Sequence, residues 1–373
     1  MINNEINYFD EHILPFFKAK NVCWEKLSNA LKVNVYKNYC IVSNENPIID
    51  DREVIYIGNF KNHWGHFITD EISKVYYLLK NENSNLPIVY CAKEDLKGNY
   101  LDFFELLGID TKRLIRIEKP TQFKKVFIPE ESYKFEKYYS EEYENIFNKI
   151  KENVEEDKTL PKKIFLSRKE FKKAQNRDFG EIREIEKFFE NNNYAIIYPE
   201  KLTLAEQIKY YKSCNEIVVT SGSVAHNLLF CKPNTKAIIL NRSYVFNARQ
   251  ATINKIAKVN VINIDSQLSL SHQHVGIGPF YYHFSEQLIQ FALDNNLKYT
   301  IPENNNYLKD YLPACKNLLK EMIKQKHKPL IINKKKPFFN IHLKKARGNF
   351  KDKFLINWFN TFRFFYFLMY LSK

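Results

Sequence analysis

His63, His66 and Asp70 lie within eight residues of one another, in the stretch Asn62-His63-Trp64-Gly65-His66-Phe67-Ile68-Thr69-Asp70-Glu71. If a helix begins near Gly65, the spacing of four puts His66 and Asp70 on one face, with His63 in the entry turn. A carboxylate beside an imidazole raises its basicity and fixes its tautomer. Such a group removes a proton from a hydroxyl nucleophile. The competing reading is a packed helix N-terminus whose histidines cap the chain. The spacing is not HExxH, and no metal site is expected.

A second set of residues suits an anion. In residues 216–231 a buried-type strand runs into Ser221-Gly222-Ser223, and a helix follows at once, with Ser223 as the expected N-cap. Gly222 permits positive φ or a close backbone approach. The N–H groups at Gly222, Ser223 and Val224 suit a phosphate or pyrophosphate. The run is neither GxxxxGK[ST] nor GxGxxG, which excludes a P-loop. Ser167-Arg168 ends another strand, and the fork of Arg168 can make bidentate contacts to a diphosphate. Arg177 and Lys169 are weaker candidates for the same role. His226 and Asn227 open the helix after the Gly222 turn, where they contact a ribose or phosphate or simply cap. Glu200 falls in a loop where a base or ribose would sit. His272 and His274, two apart, read as loop residues rather than a metal pair.

Alternating strands and helices must position these groups. Residues 54–57 read as a strand, 62–80 as one amphipathic helix, 86–91 as a strand, 101–107 as a helix, 125–129 as a strand and 139–158 as a charged helix. A linker near Leu160-Pro161 leads into a second series. Its strands are expected at 162–168, 194–198, 216–220, 236–240 and 259–264, and its helices at 180–191, 204–214 and 224–231. Thr203 and Glu206 form a capping-box pattern. This order predicts two α/β halves with parallel sheets. Ligands of such sheets bind beyond the carboxyl ends of the strands, and the cleft between two halves is a common ligand site. The boundaries are 1–158 for the first α/β domain, 159–300 for the second, 301–327 for a closing helical segment and 328–373 for a tail.

Bulk composition bears on partners. Of 373 residues, 45% are hydrophobic and 27% charged, too apolar for a disordered chain. The net charge is +14, and +10 of it lies in residues 328–373, where eleven basic residues accompany one acid, Asp352. The body is therefore not a basic nucleic-acid binder. The tail is basic, and residues 354–371 add an aromatic-rich run with a stripe of Asn357, Asn360 and Thr361. That pattern fits a helix lying in an anionic membrane surface better than one crossing it. Six cysteines include no CxxC pair, and read as buried free thiols. The N-terminus shows no signal-peptide pattern. A reducing cytoplasm, at the inner face of the plasma membrane, is the expected location.

Taken together, these blocks resemble family 61 glycosyltransferases. The resemblance rests on His63-Trp64-Gly65-His66-Phe67 with Asp70, on Ser167-Arg168, on Pro199-Glu200 through Glu206-Gln207, and on Gly222 through Asn227 with Phe230 and Pro233. It covers residues 54–241. The turn departs from the family's usual Gly-His-Gly-Ala-Gly-Leu-Thr-Asn, and Pro233-Asn234-Thr235 replaces Pro-Gly-Thr; both bear on donor specificity more than on fold. The resemblance implies a GT-B-like α/β fold, two Rossmann-like domains facing a cleft. It also implies a nucleotide-sugar donor held by the second half, inversion at the anomeric carbon and no obligatory metal or other cofactor. The acceptor faces His66 and Asp70, either of which is the base, with His63 assisting. The expected function is transfer of a sugar to a lipid-linked or other glycan acceptor in capsule or lipopolysaccharide synthesis. The alternatives are a catalytically inert glycan-binding scaffold and an RNA-binding protein using the tail. RNP, KH and zinc-knuckle patterns do not occur.

Overall fold

The structure, a computed structural model, describes residues 7–14 and 47–302, apart from 81–84, 136, 172–173, 175–176, 244–246 and 269–279. Of residues 7–14, only the backbone is described here. The chain divides into two units, Met1–Glu155 and Glu156–Lys373. The expected closing helix at 301–327 falls almost wholly outside the described residues. The tail, His272 and His274 fall outside them entirely.

In the first unit, β1 is Asn7–Leu14, β2 Ile48–Phe60, α1 Trp64–Thr69 and α2 Tyr76–Lys80. Then come β3 Ile88–Ala92, α3 Asn99–Leu106, β4 Leu114–Arg116 and β5 Thr121–Ile128. A two-stranded hairpin, β6 Tyr133–Lys134 and β7 Tyr138–Tyr139, precedes α4, Glu141–Asn153. The sheet order is β1-β5-β2-β3-β4. β2 has parallel neighbours on both sides, and β1 closes one edge antiparallel. Burial on both faces explains why Val54, Ile55, Val89 and Val126 sit in apolar runs, all at most 1% exposed. From β2 the chain steps to β3 and β4, then returns to β5 on the other side. The order reverses between β2 and β5, the place where ligands of open α/β sheets bind. Residues 61–70 leave β2 at that point.

The second unit begins with β8, Lys163–Leu166, followed by β9 Asp178–Gly180, α5 Ile182–Glu190 and β10 Ala195–Ile197. Next are α6 Leu204–Ser213, β11 Glu216–Thr220, α7 Ser223–His226 and β12 Lys236–Asn241. The described part closes with α8 Ala248–Ala257, β13 Asn260–Asp265, β14 Gln267–Leu268, β15 Phe280–Tyr282 and α9 Glu286–Asp294. The main sheet, β10-β8-β11-β12-β13, is parallel throughout. Its order reverses between β8 and β11, so Ser167-Arg168 and Ser221-Gly222 both lie just past a carboxyl end at the switch point. A small sheet, β14-β15-β9, lies in the same unit. Phe165, Val218, Ile238 and Ile264 from the main sheet pack with Ile185, Phe189 and Leu288 in one core. The expected capping box is present: Thr203 Oγ1 accepts from Glu206 N–H, and Glu206 Oε2 accepts from Thr203 N–H at 2.8 Å.

Three local readings are corrected. Residues 62–80 are not one helix. α1 ends at Thr69, a 3-10 turn covers Glu71–Lys74, and α2 follows. Thr69 Oγ1 donates back to Gly65 O at 2.7 Å, a contact that bends helices, and Glu71 folds back to Lys61. The expected helix over 224–231 is one α turn followed by a 3-10 turn, Asn227–Phe230. Its N-cap is Gly222 with no side-chain cap, not Ser223. A helix this short adds little dipole to an anion site.

Candidate active site

In the first unit α1 is anchored from below. Phe67 and Ile68 are fully buried. The Phe67 ring meets Phe60 at 5.4 Å and Phe103 at 5.3 Å between centroids, and Tyr143 donates to Ile68 O at 2.6 Å. With that face fixed, His66 and Asp70 project outward from the other. His66 Nδ1 lies 3.2 Å from Asp70 Oδ2, with the side chains 41% and 37% exposed. His63 is the N-cap, and its Nδ1 accepts from His66 N–H at 3.4 Å; the two rings are 4.7 Å apart. The Asp70 contact leaves Nε2 as the His66 nitrogen turned away from the carboxylate. All three residues named from the sequence are thus brought together, at the carboxyl end of β2. Beside them a shallow recess is lined by Lys61, Asn62, Asp95, Leu96 and Tyr100.

Glu71 is a residue that sequence reasoning missed. Its Oε2 accepts from Lys61 N–H at 2.9 Å, and Oε1 is buried without a hydrogen-bond partner. Burial pushes its carboxyl up to about 8, with the Asp70 charge adding to the effect. Ordinary helical position one residue past Asp70 gives no sign of this; only the break after Thr69 turns the side chain inward. A carboxyl raised in the folded state stabilises fully below its unfolded value of 4.5, and that contribution is lost as pH rises through about 8. Glu71→Gln should therefore flatten the decline of Tm between pH 5 and pH 8.5. The difference from wild type at pH 8.5 is expected to be on the order of 2 kcal/mol, or about 5 °C, in calorimetric scans.

The second unit gathers the anion candidates. Ser167 is buried; its Oγ donates to Glu186 Oε1 in a short contact and accepts from Lys169 N–H at 3.1 Å. These contacts hold the turn that carries Arg168. Arg168 is 18% exposed, with Nε 3.6 Å from Asp178 Oδ2 and its guanidinium carbon 5.8 Å from the Phe171 ring centre. Burial raises the Asp178 carboxyl despite Arg168, Arg242 and Arg177 nearby. Arg177 ties this segment to β15 through its carbonyl, which accepts from Phe280 N–H at 2.6 Å. Ser221 N–H donates to Leu240 O at 2.9 Å, and Ser221 Oγ accepts from Arg242 N–H at 3.2 Å. Gly222 has φ +123°, a conformation that favours glycine. Ser223 and Val224 form the first positions of α7.

Two further candidates, His226 and Asn227, are buried. His226 Nδ1 lies 2.7 Å from Gln250 Oε1, and both are buried. Asn227 Nδ2 donates to the Tyr211 hydroxyl at 3.1 Å. These contacts tie His226 and Asn227 into the junction of α6, α7 and α8. Glu200 is exposed on the 3-10 turn Pro199–Lys201, directly after β10. Arg242, Asp178 and Glu186 are the functional candidates missed in this unit.

Residues 64–238 match the family model Glycosyltransferase 61. That stretch is similar to the glycosyltransferase 61 family. The matched stretch starts at Trp64 of α1, takes in Arg168 and Gly222, and ends within β12. It thus includes the His66–Asp70 pair and the switch point of the second unit, while Arg242 lies four residues past its end. The match identifies a glycosyltransferase domain within the chain, on a mixed α/β fold with parallel sheets. A search of curated proteins found no match. Among the described residues no three His, Cys, Asp or Glu side chains converge as a metal site. Cys91, Cys214 and Cys231 are free thiols, the latter two buried. No helix among the described residues is long and apolar enough to cross a membrane.

Proposed function

We propose that this protein is an inverting glycosyltransferase that moves a sugar from a nucleotide-sugar donor to a glycan acceptor. The observation that carries the reading is the 3.2 Å His66–Asp70 pair at the carboxyl end of β2 in a chain with a family 61 match. The first unit supplies the acceptor chemistry, with His66 or Asp70 taking the hydroxyl proton and His63 assisting. The acceptor oxygen then bonds to the anomeric carbon as the bond from that carbon to the phosphate oxygen breaks. The nucleoside diphosphate departs with the bonding electrons. Arg168 and the N–H groups around Gly222 stabilise its charge, without an obligatory metal. Such transition states carry oxocarbenium character, as in other glycosyl chemistry.

The proposal extends to a lipid-linked acceptor in capsule or lipopolysaccharide synthesis, with residues 328–373 holding the enzyme at the inner face of the membrane. The support is the +10 charge of that tail beside its aromatic run. A panel of UDP-, GDP-, CDP- and CMP-sugars tests the donor reading directly. One member should raise Tm with the logarithm of its concentration, by about 2.7 kcal/mol of added stability at a hundredfold excess over Kd. A flat response across the panel would remove the nucleotide sugar from the proposal.

A further inference from the structure

Arg242 follows the last paired residues of β12 and reaches under the Ser221-Gly222-Ser223 turn. It is 5% exposed, unusual for an arginine. Its guanidinium carbon lies 4.0 Å over the Phe280 ring. A Cβ on Gly222 would collide with Nη2 and stand 3.0 Å from the guanidinium carbon. The missing side chain of Gly222 is therefore the opening through which this cation reaches the turn. Nε and Nη1 are buried without a hydrogen-bond partner. Arg168 Nε and Asp178 Oδ1, close by, are buried and unpartnered as well.

These atoms do not balance among themselves. Arg168, Arg242 and Arg177 all act on the Asp178 carboxylate, which reaches Arg168 only at 3.6 Å, and Glu200 is the other carboxylate acting on Arg168. Burial and then the charge of Arg168 hold Arg242 down to about 10, so it stays protonated at neutral pH. Burial pushes Asp178 the other way, toward its neutral form. Leaving buried N–H donors and charge unanswered is costly. An excess of positive charge at the carboxyl end of a parallel sheet calls for an anion with several acceptor oxygens.

We propose that Arg242 is the second cation of a two-point diphosphate site, acting through the Gly222 turn while Arg168 acts from the end of β8. The inference rests on the reading of the second unit as the donor side, and names the donor's diphosphate as the group held there. Nucleoside recognition is left to other residues.

Inorganic pyrophosphate is the probe, titrated into the full chain by calorimetry alongside the nucleotide-sugar panel. Wild type should bind it, and Arg242→Lys and Arg168→Lys should each lose at least tenfold in affinity, because an ammonium lacks the planar fork. If affinity falls only in Arg168→Lys, Arg242 is structural and the inference is overturned, while the donor reading survives. If a nucleotide sugar binds and pyrophosphate does not, the two-point site is likewise overturned. If neither binds, the donor reading itself falls. Should Arg242→Lys not fold, side-chain Nε–H signals of 15N-arginine wild type decide the matter. Pyrophosphate should shift two of them, one of which Arg168→Lys assigns; a shift in that one alone overturns the proposal.

Discussion

His66→Ala slows glycosyl transfer by roughly 10²–10⁴-fold and leaves the affinity for the nucleotide sugar unchanged, the size general base catalysis ordinarily supplies. The side chain stands outward on α1, 41% exposed, so its loss costs little packing. The buried face of that helix, with Phe67 and Ile68, is untouched. Asp70→Asn keeps the shape of the pair but replaces the carboxylate that holds His66 Nδ1. Steady-state kcat with saturating donor separates the two residues. If His66 is the base, Asp70→Asn lowers kcat by less than His66→Ala does. If Asp70 is the base, Asp70→Asn is the more damaging change. Full transfer activity in both variants would remove the pair from the mechanism.

Arg168→Ala lowers kcat/KM for the donor by roughly 10²–10³-fold, the effect expected when one preorganised group that meets transition-state charge is removed. The acceptor KM should not move. Two features make this more than the loss of a surface ion pair. Arg168 is only 18% exposed, and its neighbour Asp178 is buried. Removing the cation leaves that carboxyl closer to neutral, so a modest fall in Tm accompanies the kinetic loss. Arg168→Lys should recover part of the rate and little of the affinity, since a point charge replaces a fork. Unchanged donor kinetics in Arg168→Ala would exclude a role at the diphosphate.

Much of the fold is legible in the sequence because buried parallel strands are written as apolar runs. Ile217-Val218-Val219 and Ala237-Ile238-Ile239-Leu240 are neighbours in the sheet and uninterrupted in the chain. Thr203 and Glu206 announce the start of α6 for an equally local reason. His66 and Asp70 are found by their spacing alone. What escapes is decided at a distance. Arg242 reads as an ordinary charged residue after a strand. Its burial depends on a glycine twenty residues earlier and a ring, Phe280, nearly forty residues later. Asp178 sits on a strand of three residues, too short to register as a pattern. Glu71 looks like the next exposed acid of a helix, and only the interruption after Thr69 takes it out of water.

The pairing of β9 with β15 has a consequence for the order of events in folding. β8, β11, β12 and β13 find parallel neighbours 20 to 53 residues away in the chain, but β9 gains its hydrogen-bonded neighbour only when Phe280–Tyr282 arrives, about a hundred residues later. Gly180 makes the fit intolerant, since a Cβ there would collide with Tyr282 O and the Tyr281 ring. Closing so long a loop is slow, and its entropy is met before the contacts reward it. During synthesis the main sheet can therefore assemble while Asp178 still lacks its native neighbours. The surroundings of Asp178 are the part of the second unit that matures last.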